Sequence, residues 1–196
     1  MTDDSLRSFV FGRRGTLLAL PAVVLAAFGK PNAFSVATGL PLAFLGEAVR
    51  MWAVGYSGVT TRGEKVTAPR LVTAGPYAYV RNPLSLGNLL TAAGFAWAFT
   101  GANQPASRVV LVGGALAAML GVYAIVVPHE EEYLRATFGA AFDDYVARVP
   151  RIVPLVEPAE PQAGSYDPDV IAKAESRTFV TFGAMLAVLA LKAARA

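Results

Sequence analysis

Apolar runs alternate with short polar stretches along the whole chain. The runs cover residues 16–28, 33–56, 83–100, 108–127 and 179–191. A helix needs about 17–25 residues to cross a bilayer. The second, third and fourth runs meet that length. The first and last are short and predict helices that extend into their flanks. Gly29-Lys30-Pro31-Asn32 reads as a turn between two antiparallel helices. Pro128 marks the end of the fourth span. After it, Leu134, Phe138, Phe142, Tyr145 and Val149 recur at helical spacing. This predicts a separate amphipathic helix over 129–149, with Glu131–Arg135 and Asp144–Arg148 as i,i+4 pairs. Residues 154–168 are rich in proline and acids and read as a flexible linker. A C-terminal helix is expected over 168–194. Gly87, Gly94 and Gly113-Gly114 predict close helix contacts. No internal repeat is present. The pattern predicts one all-α domain over 1–196, a polytopic membrane bundle of four core transmembrane helices plus a fifth C-terminal helix.

Composition agrees. Of the 196 residues, 55% are hydrophobic and 16% charged, where soluble domains carry about a quarter charged. The absence of cysteine excludes disulfides and thiolate chemistry. A single histidine excludes a multi-histidine metal site, and no metal is expected. A pI near 9.3 raises the question of nucleic acid. The basic residues form no single patch with interleaved aromatics, so no nucleic-acid partner is expected. Their placement instead predicts topology. With the N-terminus cytoplasmic, twelve of the 17 Lys and Arg fall on the inner side and four on the outer, with Arg50 inside a span. Arg62, Lys65, Arg70 and Arg81 make up the inner 57–82 connection.

Two places carry candidate chemistry. In the second run, Glu47 and Arg50 stand three apart on one helix face. Ionisable groups inside a span are functional candidates, yet a snorkelling arginine with a neutralising glutamate explains them equally well. The richer stretch is 71–88. Gly75-Pro76 reads as a turn, and Asn82-Pro83 as an N-cap with proline in the first helical turn. Arg81 then lies beside the positive end of the third helix. That end suits a carboxylate or phosphate, although Asn82 as a simple cap and Arg81 as an interface anchor also fit.

Gly75-Pro76-Tyr77, Val80-Arg81-Asn82-Pro83 and Gly87 resemble the cofactor signature of the isoprenylcysteine carboxyl methyltransferase and phospholipid methyltransferase family. His129-Glu130-Glu131-Glu132, Leu134, Phe138-Gly139, Tyr145 and Val149-Pro150-Arg151 resemble its second signature, and 45–53 the helix before the first. The resemblance covers roughly residues 40–154. Asn82 replaces the commoner histidine, and Ser85 the usual aromatic. The resemblance implies S-adenosyl-L-methionine as methyl donor, a lipophilic acceptor from the bilayer and a cytoplasmic cofactor-binding cap over 71–88 and 129–151. It assigns cofactor contacts to Gly75, Pro76, Tyr77, Tyr79, Val80, Arg81, Asn82, Pro83, Gly87, His129, Glu130 and Glu131, with Arg81 and Glu131 as catalytic residues. Glu131 is singled out among its neighbours by phase. It precedes the apolar stripe by three, seven, eleven, fourteen and eighteen residues, so it shares that face, while Glu132 points away. Other readings stay open at this point: phospholipid N-methylation, an NADPH-dependent sterol-type reductase, and a non-catalytic membrane protein. Tyr77 and Tyr79 also suit an aromatic belt, and the acids at 130–132 a helix start.

Overall fold

The computed structural model describes residues 3–58 and 68–195, with side chains from residue 9 onward. Arg62 and Lys65 of the expected inner connection lie outside the described residues. Six α-helices follow one another, with no strand among the described residues. They are α1 (Asp3–Phe28), α2 (Ala33–Ser57), α3 (Pro83–Phe99), α4 (Pro105–Phe138), α5 (Ala140–Arg148) and α6 (Asp169–Ala193), with a 3-10 turn at Gly75–Ala78 before α3.

Among the described residues, three helices have by themselves the length and hydropathy to cross a membrane: α1 over Phe9–Phe28, α4, and α6. This is fewer than the five expected. At 17 residues α3 is short, and α2 carries Glu47 and Arg50. The three apolar windows are only 17%, 22% and 28% buried. Val23, Phe28, Val109, Val110 and Val180 stand exposed on their outer faces. Apolar surface of that extent is costly in water and suited to hydrocarbon, so the fold is that of a membrane protein.

Local chemistry explains some of the helix boundaries. Asn32 and Ser35 close a capping box at the start of α2: Ser35 N–H donates to Asn32 Oδ1 at 2.8 Å, and Asn32 N–H to Ser35 Oγ at 3.2 Å. The first helix begins well before the apolar run, at Asp3. At Pro128 the structure departs from the sequence expectation. The fourth helix runs straight through it, because proline removes a single backbone hydrogen bond while Val126, Val127 and Glu131 stay packed on either side. The break comes at Gly139, whose φ of +54° suits glycine and ends the helix. The predicted amphipathic helix is therefore split between α4 and α5. Its stripe still converges: Phe142, Tyr145 and Val149 are buried together against Leu134, Phe138 and Leu71.

Antiparallel α2 and α3 form the closest packed pair. A Cβ on Gly39 would stand 2.6 Å from Gly94 O, and one on Gly87 2.7 Å from Gly46 O. Glycines seven residues apart on each helix thus let the two backbones touch. Gly113 and Gly114 make no such contact; a Cβ on either meets nothing within 4 Å.

Despite its composition, the 154–168 segment is tied along the first signature. Leu155 and Ala159 N–H donate to Tyr79 O and Ala78 O, both at 2.9 Å. Thr73 and Ala74 N–H donate to Ala163 O, and Asp167 N–H to Gly55 O. These bonds hold the turn at Gly75–Ala78 over the end of the bundle where the site lies.

Candidate functional site

The N-terminal part of α1, the end of α2, the start of α3 and the end of α4 meet at one end of the bundle, with α5 beside them. A cleft of about 190 Å³ opens there. Its walls include Phe11, Arg14, Ser57, Tyr77, Arg81, Asn82, Pro83, Ser85, Glu130, Glu131, Leu134, Phe142 and Tyr145. The two sequence signatures, about 50 residues apart, therefore line one cavity.

Their junction is an ion pair. Arg81 Nε donates to Glu131 Oε1 at 3.0 Å, and Arg151 Nη2 to Glu131 Oε2 at 2.6 Å. Asn82 Nδ2 reaches Glu131 Oε1 at 3.4 Å. Arg81 Nη1 also donates to the carbonyls of Val146 and Val149. The side chains of Arg81 and Glu131 are 9% and 8% exposed, whereas Arg151 is about half exposed. The expected Glu131–Arg135 pair does not form. Arg135 turns outward and binds Asp143 at 2.7 Å on the surface. Arg148 donates to Asp144 O and not to its carboxylate. The helix phase read from the stripe agrees with the structure: Glu131 is buried, Glu132 exposed, and Glu130 between them on the cleft wall.

Asn82 occupies the N-cap position of α3 but makes no side-chain capping bond. Its amide instead serves Glu131 and the Arg151 carbonyl. The first N–H groups of α3 thus lack a side-chain partner, and the residues bearing them, Leu84 and Ser85, line the cleft. A helix N-terminus left in this state attracts anions. Arg14 adds charge from α1, where it stacks 3.9 Å over the Phe11 ring.

Tyr77 lies on the cleft wall, which Ser57 also lines. Burial pushes its phenol up to about 12. Tyr145 donates its hydroxyl to Tyr77 O at 2.8 Å and is likewise raised by burial. Both tyrosines are therefore neutral hydrogen-bonding groups near neutral pH.

Other residues assigned by resemblance stand away from the cleft. Gly75, with φ of +62°, carries the turn against the Tyr56 ring, and Pro76 is buried beneath it. Tyr79 packs against Trp52 at 6.0 Å, and Val80 is buried. Gly87 faces Gly46 and Arg50, so it serves helix packing. His129 sits edge-on to Phe11 at 5.3 Å. The cleft brings together Tyr77, Arg81, Asn82, Pro83, Glu130 and Glu131 of the assigned set.

The sequence reading gave no site role to Arg14, Arg151 or Tyr145 singly. Arg151 closes a signature and carried a usable signal; Arg14 was visible only as a topological charge. It also missed Glu175, which is 1% exposed and binds Arg50 at 2.7 Å across 125 residues of sequence. Compared with family models, curated proteins and solved structures, the chain matches none.

Proposed function

We propose that the protein is an S-adenosyl-L-methionine-dependent methyltransferase acting on a lipophilic acceptor, similar to isoprenylcysteine carboxyl methyltransferases. The observation that carries this reading is the meeting of Arg81-Asn82-Pro83 with Glu130-Glu131 in one cleft at the end of an apolar bundle. In this reading α2 and α3 cross the membrane as a packed pair with α1, α4 and α6. The four core spans and fifth helix then follow, and the cleft end, with the N-terminus, is cytoplasmic. The excess of basic residues at that end supports the orientation.

The residues present fit the cofactor. It carries a carboxylate, an ammonium, a sulfonium and a ribose. The uncapped α3 N-terminus and Arg81 suit the carboxylate, and Glu130 the ammonium or the ribose hydroxyls. Tyr77 and Phe11 offer aromatic faces for the adenine or the sulfonium. Glu131 already binds two arginines, so its part is to fix the Arg81 guanidinium in the cleft wall. The bound cofactor supplies an electrophilic methyl group, and transfer to a carboxylate would consume opposite charges, which a water-poor site favours. Leu134 and Phe142 keep that wall apolar.

A thermal-shift experiment on the purified protein tests the reading. A ligand that binds only the folded state at about 100 times its Kd adds roughly 2.7 kcal/mol. S-adenosylhomocysteine should raise Tm, and NADPH should not. A shift with NADPH alone would replace methyl transfer by reduction, and a shift with neither would remove both.

A further inference from the structure

The outer face of α2 is apolar. Phe44, Leu45, Ala48 and Trp52 stand exposed on one helical stripe, while Glu47 and Arg50 are turned inward and buried. Trp52 ends the stripe, its ring 6.0 Å from that of Tyr79. Beyond Tyr79 the apolar surface continues onto the segment that follows α5. Ile152-Val153-Pro154-Leu155-Val156 is an uninterrupted apolar stretch, bounded by Arg151 and Glu157. Val153 is 76% exposed and Val156 97%.

Backbone hydrogen bonds hold this stretch in place from both sides. Arg81 N–H donates to Pro150 O at 2.8 Å and Asn82 N–H to Arg151 O at 3.2 Å. Leu155 N–H donates to Tyr79 O and Ala159 N–H to Ala78 O, both at 2.9 Å. The stretch is therefore a fixed strap that presents its valines outward. Such a surface is costly in water and marks a place where a partner or a membrane is met. Continuity with the α2 stripe decides between the two. The hydrocarbon phase that suits Phe44 and Leu45 reaches the strap through Trp52 and Tyr79, and Trp and Tyr are the residue types that settle at the level of lipid headgroups. Arg151 and Glu157, both exposed, place charge at the two ends of the strap, where headgroups and water solvate it.

We propose that residues 152–156 form an interfacial anchor whose partner is the bilayer surface, with Val153, Leu155 and Val156 inserted beneath the headgroups beside Trp52. Anchoring there also fixes the cleft. The strap is bonded to the backbone of Arg81 and Asn82, and Arg151 at its start holds Glu131. The cleft rim is thereby kept at headgroup depth. The anchor stands apart from the methyl-transfer reading and holds whatever the cleft binds.

The chain has no cysteine, so a single introduced thiol can be labelled cleanly. The test places an environment-sensitive nitrobenzoxadiazole label at Val156→Cys, in nanodiscs of phosphatidylcholine with or without doxyl-labelled lipid. Ala141→Cys, exposed on α5 beside the exposed Asp143 and Asp144, is the control. Both positions are exposed, so the fold tolerates the change. The label at 156 should emit to the blue of the label at 141. It should also lose emission to doxyl groups set near the headgroup, more than to doxyl groups at the chain end. Emission at 156 that matches 141 and resists quenching would overturn the anchor. A blue shift without quenching would assign the surface to a protein partner, a second copy included, and overturn it equally. Adding Val153→Asp should lift the strap and restore emission at 156. Quenching unchanged by that added charge would trace the insertion to the label itself, and the anchor would fall.

Discussion

Removal of the Glu131 carboxylate is the sharpest perturbation of the cleft. In Glu131→Ala, the Arg81 guanidinium keeps two backbone carbonyls but loses its counter-charge while its side chain remains 9% exposed. Breaking a fully buried ion pair from one side costs about 3–5 kcal/mol. Arg151, about half exposed, can turn into water, which discounts its share. The expected loss is therefore about 3 kcal/mol, roughly a hundredfold in the folded-to-unfolded ratio. Asp143→Ala provides the contrast. It breaks an ion pair of similar length, 2.7 Å, but both partners are more than half exposed, and no resolvable change is expected. Unfolding in mixed micelles, followed through Trp52 and Trp97 fluorescence, measures both. A cycle with Arg81→Ala adds a check: the double variant should lose about 2 kcal/mol less than the sum of the singles, because the same pair is counted twice. Additivity within about 0.5 kcal/mol, or equal losses in Glu131→Ala and Asp143→Ala, would refute the claim that the buried pair holds the cleft together.

Turnover with a lipophilic acceptor, at equal folded protein, should fall strongly in Glu131→Gln and stay near wild type in Glu132→Gln; the reverse order would overturn the proposed role of the inward face. Gly94→Val should force α2 and α3 apart and cost about 1–3 kcal/mol, whereas Gly113→Val should be silent, since a Cβ there meets nothing; melting curves of the two variants decide this. The buried Tyr77 phenol, raised to about 12, binds its proton more tightly in the folded than in the unfolded chain, whose phenols titrate near 10. Its contribution to stability is complete below about pH 10 and is lost as pH rises through 12. Tyr77→Phe should flatten that alkaline decline, and an unchanged slope would count against its burial.

Much of the helical frame was legible in the sequence, because helices are set by forces acting within a few residues. Apolar runs placed α2 and α3 nearly to their ends, Asp167-Pro168 marked the start of α6 ahead of its shorter apolar run, Gly29-Lys30-Pro31-Asn32 gave the first turn, and the stripe from Leu134 to Val149 put Glu131 inward. Pro128 shows the limit of the local rule. One missing hydrogen bond was too small a cost to end a helix packed on both sides of it, and the positive φ of Gly139 ended it instead. Gly113 and Gly114 resembled packing residues as closely as Gly87 and Gly94 did, but only the latter pair meets another backbone. Apart from the i,i+3 pair of Glu47 and Arg50, partner choice lay beyond the sequence. Glu131 passed over the neighbouring Arg135 for Arg81 and Arg151, and Arg50 found Glu175 at the far end of the chain. A proline-rich stretch with the composition of a linker came to lie against the first signature. Spacing fixes which face of a helix a residue occupies, whereas the group opposite that face depends on how separate helices pack, and only the tertiary structure decides that.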